Sequence, residues 1–158
     1  MKSEFDEIQD DEWLLRRVLN VHFRTGKDPI MSDSAFSPRL RKAISPDTEG
    51  ISLYRRSCLS SPMEIVKPEN QHKHGIVGVK VSELKALGLT VKINPESRDN
   101  ADRIDGHVVI PELSCDEYEQ KKSTIKVKIH RLAEITSAED HIFWDPNKHV
   151  DSDPSNFE

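Results

Sequence analysis

Three groups of basic residues, Arg16-Arg17, Arg39/Arg41/Lys42 and Arg55-Arg56, have the chemistry to converge on a phosphate-bearing ligand. Guanidinium forks bind phosphate oxygens in pairs, and the hydroxyls of Ser32 or Ser34 could add hydrogen bonds. Between residues 16 and 56 there are nine Lys/Arg and four Asp/Glu, whereas the whole chain of 158 residues has a net charge of −5. The stretch is therefore a local basic island between acidic flanks, a place for an anion or an acidic protein surface to dock. Opposing this is the ordinary reading of surface arginine as solvated. If the Arg pairs lie on strands, their members point to opposite faces, and the inward one of each pair needs a partner.

His107 follows Gly106 and precedes three apolar residues, which makes it a candidate pocket residue. Arg17, Ser32, Arg55 and His107 together form the candidate ligand-binding set. A second reading, from a different class, is a small transferase or hydrolase acting on a nucleotide-like, phosphate-bearing substrate. In it Arg17 and Arg55 hold phosphate, Ser32 positions the substrate and His107 is the acid/base. The two readings differ in geometry: the enzyme requires all four residues in one concave pocket.

Other chemistries find less support. His72-Lys73-His74 places two imidazoles two residues apart, but no carboxylate or thiol accompanies them, so no metal is expected. Cys58 and Cys115 have no Cys-x-x-Cys spacing. No Gly-x-Ser-x-Gly, Walker loop or dinucleotide turn occurs, and no cofactor is expected. A pI of about 5.8 and the acidic flanks argue against nucleic acid as a partner. No apolar run approaches the ~20 residues that span a bilayer, and no apolar segment follows Met1, so a reducing cytoplasm is the expected location.

The elements that must position these residues follow from periodicity. Residues 1–12 read as a mobile acidic arm, residues 13–145 as a single domain and residues 146–158 as a polar acidic tail. The segment from Trp13 to Val21 is open between a short helix and a strand. Ile51, Leu53 and Arg55 alternate with Ser52, Tyr54 and Arg56, which predicts a strand. Gly75–Val81 reads as a buried strand, and Ser82 as the N-cap of a short helix over Glu83–Leu87 that ends at Gly88. Leu89–Ile93 alternates, Glu96–Asp105 is a loop, and Gly106–Ile110 is a strand. Ile125, Val127 and Ile129 alternate with Lys126, Lys128 and His130, predicting a further strand over Thr124–Arg131. Glu139–Asp145 is expected to anchor a last turn. The sum is an α+β domain with a mainly antiparallel sheet and one or two short helices.

Leu15-Arg16-Arg17-Val18, Ser32-x-x-Ala35-Phe36, Ile51-Ser52-Leu53-Tyr54-Arg55, Leu84-x-x-Leu87-Gly88-Leu89-x-Val91 and Gly106-His107-Val108-Val109-Ile110-Pro111 occur in this order. In this the chain resembles an uncharacterised group of small bacterial proteins, over roughly Leu14 to Leu113. The resemblance implies one compact domain and draws attention to Arg17, Ser32, Phe36, Arg55 and His107, but it supplies no reaction. The leading expectation is a non-enzymatic cytoplasmic binding or accessory domain that holds an acidic protein surface or a small anionic ligand.

Overall fold

A computed structural model describes residues 2–150. The strands are β1 (Trp13–Leu19), β2 (Ile51–Arg55), β3 (His74–Lys80), β4 (Lys92–Ile93), β5 (His107–Ile110) and β6 (Ile142–Trp144). The helices are α1 (Val81–Ala86), α2 (Cys115–Gln120), α3 (Lys122–Thr136) and α4 (Pro146–Val150). All six strands join one antiparallel sheet in the order β4-β5-β2-β1-β3-β6. The domain is thus α+β, with β1 and β3 forming its longest ladder, from Trp13↔Lys80 to Leu19↔His74.

Successive strand residues point to opposite faces, and both faces are covered. One face carries Leu14, Val18, Ile51, Leu53, Val77, Val79, Val108 and Ile110, packed against Ile125, Ile129, Leu132 and Ala133 of α3. The other carries Leu15 and Ile76, packed under Leu59, Ile65 and Val66 from the turn-rich segment after β2. At Gly78 the sheet approaches the Phe143 and Trp13 rings so closely that a Cβ would collide with them, which explains a glycine inside a buried strand.

The expected strand over Thr124–Arg131 is instead part of α3. Its buried residues, Ile125, Ile129, Leu132, Ala133 and Thr136, recur at helical spacing, whereas Val127 is 64% exposed. A stretch that alternates for only five residues fits either period, and Leu132 and Ala133 decide for the helix because they extend only the 3.6-residue pattern. The helices consequently number four among the described residues, one of them fifteen residues long.

Smaller corrections follow from local hydrogen bonding. The N-cap of α1 is Lys80 rather than Ser82, because the Glu83 side chain reaches back to the Lys80 amide at 2.8 Å. Gly88, with φ +75°, follows the helix as expected. Ile142–Trp144 is not only a turn but an edge strand on β3. The stretch read as a mobile arm lies against the domain, its Glu4, Asp6 and Glu7 carbonyls accepting hydrogen bonds from Arg55. Of the expected acidic tail, residues 151–158 lie outside the described residues. Among the described residues no helix is long and apolar enough to cross a membrane.

The helical assignment predicts opposite outcomes at two neighbouring positions. Ile129→Ala should cost about 2–5 kcal/mol of unfolding free energy, while Val127→Lys should change it by less than about 0.5 kcal/mol. Urea unfolding measures both, and a comparable loss at Val127 would restore the strand.

Candidate functional site

β1 pairs with β2 only at Leu14↔Arg55 and Leu15↔Tyr54, yet it continues along β3 as far as Leu19↔His74. Beyond Leu15 the two strands part, and a cavity of about 340 Å³ opens beside the free length of β1. That volume lies at the lower end of small-molecule sites, which span about 300–1,000 Å³. Arg16, Arg17 and Arg39 line it together with His22, His74, Ser34, Ser37, Ser52 and Tyr54, and Asp47 is its one carboxylate.

Arg16 bridges the gap. Its Nε donates to the Ala35 carbonyl at 2.6 Å and its Nη1 to the Ser52 carbonyl at 2.7 Å, and the guanidinium stands 5.9 Å from the Phe36 ring centre. Burial, only partly offset by Asp47, pulls its pKa down to about 10. Arg17 points to the opposite face and donates to the Ile65 carbonyl at 3.1 Å. Neither arginine has a carboxylate within ion-pair distance among the described residues. Asp47 is already engaged, receiving the Arg39 amide at 2.7 Å and Arg39 Nη2 at 3.0 Å.

Two imidazoles share the wall. His22 Nδ1 accepts a hydrogen bond from the Leu19 amide at 3.2 Å, and burial followed by the charge of Arg16 lowers its pKa. His74 Nδ1 is buried without a hydrogen-bond partner. Burial, followed by the charges of Arg17 and Lys73, lowers the His74 pKa as well. The Tyr54 hydroxyl donates to Glu96 at 3.0 Å; burial and the Glu96 charge raise its pKa, so the phenol stays protonated.

The four residues expected to form the site are not brought together. Arg17 lines the cavity. Ser32 caps the 3₁₀ turn Asp33–Ala35 by accepting from the Ser34 amide at 3.2 Å, just behind the lining residues. His107 is wedged between the Asn94 carbonyl at Nδ1 and the Ser52 hydroxyl, 2.8 Å from Nε2. Arg55 is fully buried on the face opposite Arg17 and pairs with Glu12. Among the described residues, Arg17, Ser32, Arg55 and His107 therefore do not line one common cavity, and Arg55 has no solvent exposure.

Arg55 instead fastens the N-terminal segment. It makes five hydrogen bonds: two to the Glu12 carboxylate, at 2.9 and 3.1 Å, and three to the carbonyls of Glu4, Asp6 and Glu7. These match the five N–H groups of a guanidinium. Burial pushes the Glu12 carboxyl up, but hydrogen bonds from Arg55 and Ser57 together with the Arg55 charge outweigh it and leave the pKa below its ordinary value. Elsewhere in the basic stretch, Arg41 pairs with Asp116, Arg24 donates to the Pro29 carbonyl and Arg56 to that of Leu59.

Sequence reasoning named Arg16, Arg39 and Ser34 as basic or hydroxyl groups but missed His22, Ser37, Ser52, Tyr54 and His74 as neighbours. One available signal was Leu14-x-Arg16-x-Val18, which in a strand sends a guanidinium to the core face. Among the described residues no three His, Cys, Asp or Glu side chains cluster as a metal centre needs. Comparison of the chain with protein-family models, curated proteins and solved structures finds no match.

Two stability measurements follow. Glu12→Gln strips the buried Arg55 of its counter-charge and should cost about 3–5 kcal/mol, read as a lower urea midpoint; an unchanged midpoint would refute the structural role. The lowered pKa values of His22 and His74 mean that the unfolded chain binds more protons as pH falls through about 6.5. Without added anions, stability should therefore fall between about pH 7.5 and pH 5.5, and replacing both histidines with Asn should flatten that slope.

Proposed function

We propose that the protein is a binding domain for a small anionic ligand, held in the cavity where β1 and β2 part. The observation that carries this reading is Arg16, a guanidinium fixed at the gap by two carbonyls, in a cavity it shares with Arg17 and with no carboxylate of its own. A charge removed from water stays favourable only when it is paired or hydrogen-bonded, and Arg16 makes hydrogen bonds from two of its three nitrogens, Nε and Nη1. A bound oxyanion would supply the missing acceptors in a bidentate fork.

A cavity of this size favours a small ligand over an acidic protein surface, which would need a broad exposed patch rather than a gap between strands. The reading is non-enzymatic: arginines and hydroxyls that hold an anion need no nucleophile, and the residues proposed for catalysis stand apart. A reducing, cytoplasmic setting is part of the same proposal and draws on two buried cysteines that are both free thiols.

Inorganic phosphate is the first probe. At a hundred times its dissociation constant it should stabilise the fold by about 2.7 kcal/mol, raising Tm by about 5–10 °C. Arg17→Gln, at an exposed position, should remove this shift while leaving the anion-free Tm nearly unchanged. An equal shift in wild type and variant, or none in wild type, would reject the site.

A further inference from the structure

We infer that the cavity takes a dianionic oxyanion head, phosphate or sulfate in chemistry, and that binding places a proton on His74. This rests on the anion-binding reading and concerns what the anion is and how its affinity is controlled.

The charge of the head follows from the guanidiniums left over. Arg39 is matched by Asp47, so Arg16 and Arg17 remain as two unmatched cations in one cavity. A monoanion such as a simple carboxylate would neutralise only one of them. A tetrahedral dianion offers charge for both and has enough oxygens to meet Arg16, Arg17 and the hydroxyls of Ser34 and Ser37 together.

The proton follows from the remaining groups. The groups that line the cavity together with His74 come from four elements: Arg16 and Arg17 on β1, His22 after it, Arg39 and Asp47 in the loop before β2, and Tyr54 on β2. Lys73 and the exposed His72 stand in the turn leading into β3. The guanidiniums stay charged and the phenol stays protonated at neutral pH, so the imidazoles are the cavity groups that titrate between about pH 5 and 8.

The two lining imidazoles are not equivalent. At His22 the Leu19 amide already donates to Nδ1, and a proton placed there would break that bond. At His74 the buried Nδ1 has no partner, so it gains a proton without losing a bond. While the cavity holds no anion, Arg17 and Lys73 oppose a third positive charge beside them. A dianion reverses the sign of the local field, and His74 then takes up a proton. By linkage, proton uptake on binding means tighter binding at lower pH.

Sulfate separates this effect from titration of the ligand, because it keeps both charges across the whole range. Calorimetry on the full chain should show sulfate binding about tenfold more tightly at pH 5.5 than at pH 8. Near pH 7, paired buffers of different ionisation enthalpy should report uptake of up to about one proton on the wild-type chain, a readout that needs no variant. His74→Gln should bind at the pH 8 level throughout and take up no proton, while His22→Asn, whatever its affinity, should keep the pH dependence. Equal affinity at both pH values without proton uptake would overturn the inference and leave the anion site standing. A pH dependence that survives His74→Gln, or that vanishes only in His22→Asn, would overturn the assignment to His74. Failure of both sulfate and phosphate to bind at either pH would overturn the site itself.

Discussion

A guanidinium taken out of water must find acceptors for five N–H groups, and the way Arg55 meets that demand organises the domain. Arg55 sits on the same sheet face as Leu14, Leu53 and Ile51, with no solvent contact. Glu12 supplies charge and two acceptors, and three backbone carbonyls of residues 4–7 supply the rest. An acidic segment whose apolar contact with the core is the half-buried Ile8 gains little from hydrophobic burial. It docks here because its backbone oxygens solvate a cation. Glu4 repeats the pattern from the other side, pairing with Arg103 and accepting from the Gly106 amide, and the Asp10 and Glu12 carbonyls receive the first amides of α1. Removing one partner leaves the other buried and uncompensated, which is why such a pair costs far more to break than a surface ion pair.

The same demand is met only in part at Arg16, two register positions along the same face of β1. There the sheet gives no help, because β2 has left β1 after Leu15. Arg16 spans the opening and finds the Ala35 and Ser52 carbonyls, but no carboxylate. Two arginines on one sheet thus have different fates: Arg55 is neutralised inside the protein, while Arg16 keeps an unmatched charge at the wall of a cavity. Half-buried, strand-borne and held at two nitrogens, it is also the more rigid of the two cations there, since exposed Arg17 is tied at one nitrogen to Ile65. A preordered cation pays less entropy on binding than a free side chain would.

Much of the sheet was legible because Ile51–Arg55 alternates with a period of two and His74–Lys80 is a short run buried along its interior. Ile51–Arg55 and His74–Lys80 carry β-branched residues and clear boundaries, and the alternation correctly sent Arg55 inward. Ile125–His130 was not legible, because a short alternation of isoleucine, lysine and valine fits a helix equally well and the tie is broken only by contacts with the sheet. The site was half legible. That an inward arginine needs a partner is local physics, but which partner it finds depends on where the chain returns. Glu12 lies forty-three positions from Arg55, and His74 comes beside Leu19, on the sheet face that carries Arg17, only through the β1–β3 register. Nothing in the sequence marks where β1 and β2 separate, and that separation makes the cavity.

The separation also sets the direction in which a ligand would lie. Arg17 and Tyr54 stand at the boundary with a second cavity, whose other lining includes Glu64, Glu96 and Asp102 as well as Lys67 and Arg103. Lys67 is paired with Asp102, and Arg103 with Glu4 and Asp105, so the positive charge there is spent. Glu96 is held by the Tyr54 hydroxyl and the Ile104 amide. Tyr54 thus stands between a cavity lined by Arg16 and Arg39 and one lined by Glu64, Glu96 and Asp102. Under the anion-binding proposal, an anionic group would be drawn toward Arg16 and Arg39 and away from Glu96.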